Sequence, residues 1–176
     1  VRRMIDAHEA TAKRSGARIV PCTGFDSIPS DLGVWHLQRE AMKHDGEPCV
    51  RVKMRTRAMR GTASGGTVAS GVNIVAEATR NPAVRAIYSN PYSLCPAQAD
   101  GKSGYTSRQH HVKGAEFDQD FGVWVAPFIM AAINARVVLR SNAVAGFPYG
   151  RAFQYDEGMM TGRGMKGRWR ATSFTA

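Results

Sequence analysis

Cysteine is scarce here and has no pairing pattern: Cys22, Cys49 and Cys95 are widely spaced and form no CxxC. That argues against a disulfide framework or a thiol zinc site and makes a reducing cytoplasm the expected compartment. Acidic residues are also few, 14 Asp and Glu against 24 Lys and Arg, for a formal charge of +10. Such an excess attracts anions, whether nucleic acid, acidic lipid head groups or a phosphorylated cofactor, and does not choose among them. Long hydrophobic runs are missing. The most apolar window, residues 123–139, is interrupted by Pro127, Asn134 and Arg136 and falls short of a bilayer span. Val1-Arg2-Arg3-Met4-Ile5-Asp6 turns polar at once, unlike a secretory leader.

Several chemical signatures are absent too. No GxSxG surrounds any Ser, so a nucleophile elbow is not expected, and the glycine-rich run Gly61 to Thr67 is neither GxGxxG nor GxxxxGK[ST], so it is not a nucleotide fingerprint. Cys22 has no His placed by the sequence to activate it. His110 and His111 are adjacent, so their side chains diverge, and no Asp or Glu sits beside them at ligand spacing; no metal is expected. What remains is 176 residues, 43% of them hydrophobic, enough for one real core or for a small domain plus part of another.

The most informative stretch is Gly24-Phe25-Asp26-Ser27-Ile28-Pro29-Ser30-Asp31-Leu32-Gly33. Ala17 to Cys22 reads as a short buried strand, and Val34, Leu37 and Ala41 fall at helical spacing after the connector. Ser27 and Ser30 suit an N-cap, Pro29 the first turn, and Asp31 the positive end of the helix dipole. The connector is then either a well-capped βα loop or a ligand loop, since open α/β sheets bind ligands at the C-terminal ends of their strands. Upstream, residues 2–15 make a helix stopped by Gly16. Helix, glycine, strand, loop and helix in that order are half of a repeating α/β unit, so the chain is expected to start within a longer fold.

Downstream, Val50, Val52, Met54 and Thr56 alternate with Arg51, Lys53, Arg55 and Arg57. This is strand period two, with one apolar and one cationic face. The cations are tolerable if they face water, anions or acidic residues of a neighbouring strand. Gly61-Thr62-Ala63-Ser64-Gly65-Gly66-Thr67 then opens a small-residue helix, either to cradle an anion or to let the helix pack closely. Asn81-Pro82 starts a short helix through Tyr88, and residues 91–114 read as a long surface loop. Phe121 to Val125 reads as a strand, Pro127 as the start of a helix to about Arg140, and Arg151 to Asp156 as a strand. Gly162, Gly164 and Gly167 then loosen the chain.

The run Ala17 to Gly33 resembles a signature of the saccharopine dehydrogenase-like oxidoreductases, nearest the bacterial trans-acting enoyl reductases. Gly65-Gly66-Thr67, Trp124 to Met130, Arg136-Val137-Val138 and Arg140-Ser141-Asn142 fit the same subgroup. The resemblance implies an α/β fold: the last β-α unit of a Rossmann-like NAD(P)-binding domain over residues 1–45, then a mixed-sheet substrate and dimerisation domain with packed helices over 46–176. It also implies NADP or NAD as cofactor, near Cys22, Thr23, Gly24, Phe25, Asp26 and Ser27, and hydride transfer to an enoyl, lipid-linked substrate. The saccharopine reductases carry Gly-Leu-Asp-Pro-Gly where this chain has Gly24-Phe25-Asp26-Ser27-Ile28-Pro29, which argues against saccharopine itself. No catalytic residue is identified; Tyr149 and Tyr155 are candidate proton donors whose spacing equally suits core positions. A homodimer in the cytoplasm, with peripheral membrane association as a further option, completes this expectation. The rival readings are a basic anion- or nucleic-acid-binding module on the Arg51, Lys53, Arg55, Arg57 face, and a structural dimerisation piece.

Overall fold

The computed structural model describes every residue except Asp26, 60–68, 70–72, 74–75, Ala99 and 175–176. Its strands are β1 (Arg51–Thr56), β2 (Glu116–Asp118), β3 (Val123–Pro127) and β4 (Gln154–Gly162), joined in one sheet of order β1-β4-β3-β2. β1 lies parallel to β4, whereas β3 runs antiparallel to both β4 and β2. The helices are α1 (Arg2–Ser15), α2 (Ile28–His44), α3 (Pro82–Ser89), α4 (Ala131–Val144) and α5 (Gly164–Ser173), and residues 76–80 are also helical. The expected α/β class with a mixed sheet is what forms.

The alternation in β1 places its two faces in different surroundings. Val52 sits opposite Tyr155 and Met54 opposite Glu157, on the face that packs against α2 and α4. There Val34, Val52, Val138, Leu139, Phe153 and Tyr155 make the core. On the other face Arg55 Nε lies 2.6 Å from Asp118 Oδ2, and Arg55 Nη1 2.6 Å from Asp156 Oδ1. Lys53 Nζ lies 3.0 Å from Asp118 Oδ1 and also contacts Asp120. The two central cations of the row therefore meet acids from the neighbouring strands and the β2–β3 turn. This corrects the reading of the row as a free anion or nucleic-acid surface: the Arg55 side chain is only 2% exposed. Burial works to raise the Asp118 pKa, but hydrogen bonds from Arg55 and Lys53 and their charges outweigh it and hold the carboxyl at about 2.

Several local expectations hold. Gly16 ends α1 in the left-handed region at φ 72. Asn81 caps α3, its Oδ1 accepting from the N–H groups of Ala83 and Val84. Others do not. Ala17 to Cys22 is not a strand: no neighbour pairs with it among the described residues, Pro21 has no N–H to offer, and Ile19 and Val20 stay exposed. Pro127 closes β3 instead of opening a helix, and lies beyond the reach of the three-residue β2. The helix after it begins at Ala131. The glycines after β4 build a helix instead of loosening the chain, because Gly167 is where α5 crosses within touching distance of Gly162. The described residues of 91–114 form no strand or helix, but they are not simply a surface loop, since Leu94, Cys95, Gln109 and Val112 are buried. The Gly61 to Thr67 turn, with Gly65-Gly66-Thr67, lies outside the described residues.

Candidate functional site

The connector enters α2 beside α4, and the two helices pack against each other. Pro29 stands in the first turn of α2, where its missing N–H costs nothing, and Asp31 follows it at the positive end of the dipole. Between residues 19–23, the start of α2 and α4 lies a cleft of about 470 Å³, walled by Val20, Cys22, Thr23, Ile28, Asp31, Val137, Arg140 and Ser141 among others. Behind Cys22 a second hollow of about 340 Å³ runs between α1, α3 and α4, past Ile87, Ile133 and Arg136. Cys22 lines both. It also holds φ 61, a left-handed conformation uncommon for a residue with a side chain, so its neighbours fix it at some cost in strain.

The polar groups in the cleft wall are few and held. The Ser141 hydroxyl donates to Asp31 Oδ2 at 2.7 Å. Burial raises the Asp31 pKa and this hydrogen bond works against it, so the carboxyl holds a proton to higher pH than an exposed aspartate. Arg140 donates to the Leu94 carbonyl and lies 3.6 Å from Glu9, while Arg2 donates to the Ser93 carbonyl at 3.1 Å. The two arginines thus tie α1 and α4 to the segment between them. An apolar slot with one protonatable carboxyl and one arginine suits a ligand that is largely apolar with a polar end.

The six connector residues separate. Cys22 and Thr23 line the cleft. Gly24 lies in the exposed turn, its carbonyl accepting from the Ile28 N–H at 3.2 Å, and Phe25 is 89% exposed. Asp26 lies outside the described residues. Ser27 is buried, and it does not cap α2 through its side chain. Its hydroxyl donates to Asn134 Oδ1 at 3.0 Å; Asn134 Nδ2 donates to Glu157 Oε2 at 3.0 Å; the Tyr155 hydroxyl donates to Glu157 Oε1 at 2.6 Å. This buried polar chain anchors the connector to β4 through α4. Sequence reading missed it: Asn134 interrupts an apolar window and Glu157 follows a strand pattern, and those two irregularities were the only signals.

Neither candidate proton donor lines the cleft. Tyr155 is 1% exposed, and burial together with the nearby Glu157 pushes its pKa far up. Tyr149 is half-buried with its ring edge-on to Phe153, and burial raises its pKa as well. No three His, Cys, Asp or Glu side chains converge as a metal site among the described residues. His110 does find a carboxylate, Glu116, at 2.9 Å. No helix among the described residues is long and apolar enough to cross a membrane.

No protein-family profile matches the chain, and no solved structure matches it significantly. Curated proteins do. A Mycobacterium tuberculosis protein bearing the provisional name of a trans-acting enoyl reductase is 38% identical over 164 residues, which cover 92% of this chain and 39% of that protein. A trans-acting enoyl reductase of Mycobacterium bovis is 35% identical over 168 residues, 93% of this chain and 40% of that protein. One from Mycobacterium leprae is 34% identical over 166 residues, again 92% and 40%. The chain spans about two fifths of the length of these relatives, and across that span it is homologous to proteins named trans-acting enoyl reductases.

Proposed function

We propose that this chain is part of an NAD(P)-dependent enoyl reductase acting on a lipid-linked substrate. The observation that carries the reading is the 34–38% identity, over more than nine tenths of the chain, to proteins named trans-acting enoyl reductases. In this reading residues 1–45 belong to a Rossmann-like cofactor domain of saccharopine dehydrogenase-like type, and residues 46–176 to a substrate and dimer domain. The protein works as a cytoplasmic homodimer, with peripheral membrane contact where its substrate is membrane-borne.

Reduction of an enoyl group delivers hydride to one alkene carbon and a proton to the other, oxidising NAD(P)H to NAD(P)⁺. When bound, the cofactor supplies that hydride. The residues present fit its reactive end. Cys22 and Thr23 line a largely apolar cleft of about 470 Å³, roomy enough for a nicotinamide ring, with Val20 and Val137 among its apolar walls. The fit stops there: the one GxGxxG of the sequence, Gly162 to Gly167, lies at the turn from β4 into α5 and does not line this cleft. Ser27, anchored through Asn134, fixes the connector's position relative to the sheet.

Calorimetric titration of the 176-residue chain with NADPH should then give weak binding or none; tight binding would refute the division of the cofactor site. Reading the coding DNA upstream of Val1 for an in-frame strand and Gly-rich turn comes next. The product of the complete reading frame should oxidise NADPH in the presence of a lipid-linked enoyl substrate. An intact full-length protein that turns over no such substrate sinks the reductase reading.

A further inference from the structure

A cleft of about 890 Å³ opens between the end of α3, residues 108–113 and the first residues of β1 and β4. Arg51, Arg108, His110, His111 and Lys113 all line it. Arg51 stands in the same row as Lys53 and Arg55 but one step beyond the last acid that neutralises them. Among the described residues no carboxylate lies within ion-pair distance of Arg51, Arg108 or Lys113. His110 has Glu116 as its partner. Uncompensated cations converging on a concavity create a positive potential that low-dielectric walls intensify.

The site is also built. Gln109 is buried, its Nε2 donating to the Phe153 carbonyl at 3.0 Å while its Oε1 accepts from the Tyr155 N–H at 3.0 Å. The segment bearing Arg108, His110 and His111 is thereby pinned to the start of β4. The carbonyl end of α3, which would repel an anion, is occupied: Arg136 donates to the Tyr88 carbonyl and, at 3.3 Å, to the Asn90 carbonyl. His111 responds to these surroundings, its pKa lowered by burial and then by Arg136, His110 and Lys113.

We propose that this cleft is a binding site for a phosphate-bearing anion, held by Arg51, Arg108 and Lys113. Guanidinium forks match phosphate oxygens in pairs, and an ammonium adds a third contact. A concavity of this volume takes a phosphorylated small molecule or one head group, whereas a duplex needs an extended basic ridge. The proposal does not rest on the reductase reading, and the enoyl site could fail with this one standing.

The test uses inorganic pyrophosphate by calorimetry and, in a second arm, phosphatidylglycerol vesicles by sedimentation. Arg108 and Lys113 are exposed, so Arg108→Gln with Lys113→Gln should fold normally, as circular dichroism and an unchanged denaturation midpoint would verify. That double variant should lose at least ten-fold in affinity. Arg57→Gln with Lys166→Gln removes the same charge from exposed positions elsewhere and should change affinity by less than two-fold. A selective loss in either arm supports the site, and the arm that responds tells a soluble phosphate from a lipid head group. No saturable binding in either arm, or an equal loss in the control, overturns it.

Discussion

A methyl group at Gly167 would stand 2.2 Å from the Gly162 carbonyl oxygen and 2.4 Å from its carbon, both of them backbone. Two effects compete in Gly167→Ala. Helix propensity favours alanine by about 1 kcal/mol, whereas overpacking a rigid contact costs ~1–3 kcal/mol, more where backbone must move. The clash wins, so the variant should unfold at lower urea, with the midpoint showing a net loss of about 2 kcal/mol. Asp118 carries a different kind of load. Its carboxyl titrates near 3.8 in an unfolded chain and at about 2 in the fold, so its stabilisation is complete above roughly pH 4 and drains away as the pH falls toward 2. Denaturation midpoints measured from pH 5 to 2 should fall for the native protein and fall less steeply for Asp118→Asn. At neutral pH that variant leaves Arg55 short of a partner in a site where breaking a buried pair costs about 3–5 kcal/mol. Thiol chemistry separates the cysteines. Burial, opposed by the charges of Arg140 and Arg2, raises the Cys95 pKa to about 11. Alkylation of the folded protein near pH 8 should therefore mark the half-buried Cys22 and Cys49 and spare Cys95 until denaturant is added, as peptide mass spectrometry would read.

Among the elements, those whose signal is local were legible in the sequence and those made by contact were not. The alternation from Val50 to Arg57 announced β1, and Asn81-Pro82 announced α3, because period and cap are properties of a few adjacent residues. The sequence even allowed for acids from a neighbouring strand beside the cationic row, though not that Asp118 would come from a three-residue strand too short to carry a pattern. Ala17 to Cys22 had a strand's composition, yet a strand exists only through its neighbours. Gly162, Gly164 and Gly167 looked like slack because nothing local shows two backbones in contact. The candidate site divides the same way. Cys22 and Thr23 could be named from the connector, but the Ser27, Asn134, Glu157 and Tyr155 chain links residues more than 100 positions apart. That chain joins α2 to α4 and α4 to β4. Asn134→Ala would strand both Ser27 and Glu157, and leaving buried polar groups unsatisfied costs ~1–3 kcal/mol. A double-mutant cycle with Ser27→Ala should show the two losses to be less than additive.

For the molecule as a whole, stability is unevenly spread. Residues 18–23 donate no backbone hydrogen bond among the described residues, while β4 is bonded on both sides and its residues Tyr155 to Gly158 are buried. Amide exchange should run nearly unprotected through 18–23 and slowest along β3 and β4. Protection of 18–23 in this chain alone would mean that the segment finds a partner. The parallel pairing of β1 with β4 also has a consequence in time. Arg51 and Gln154 meet across about 100 residues of chain, and closing a loop that long costs ~4 kcal/mol of entropy before any contact compensates. β3, α4 and β4 are close in sequence and can associate early, so the docking of β1 comes late and slow. Until it does, Asp118 and Asp156 have no Arg55 to meet, and one edge of β4 stands open to whatever other strand arrives first.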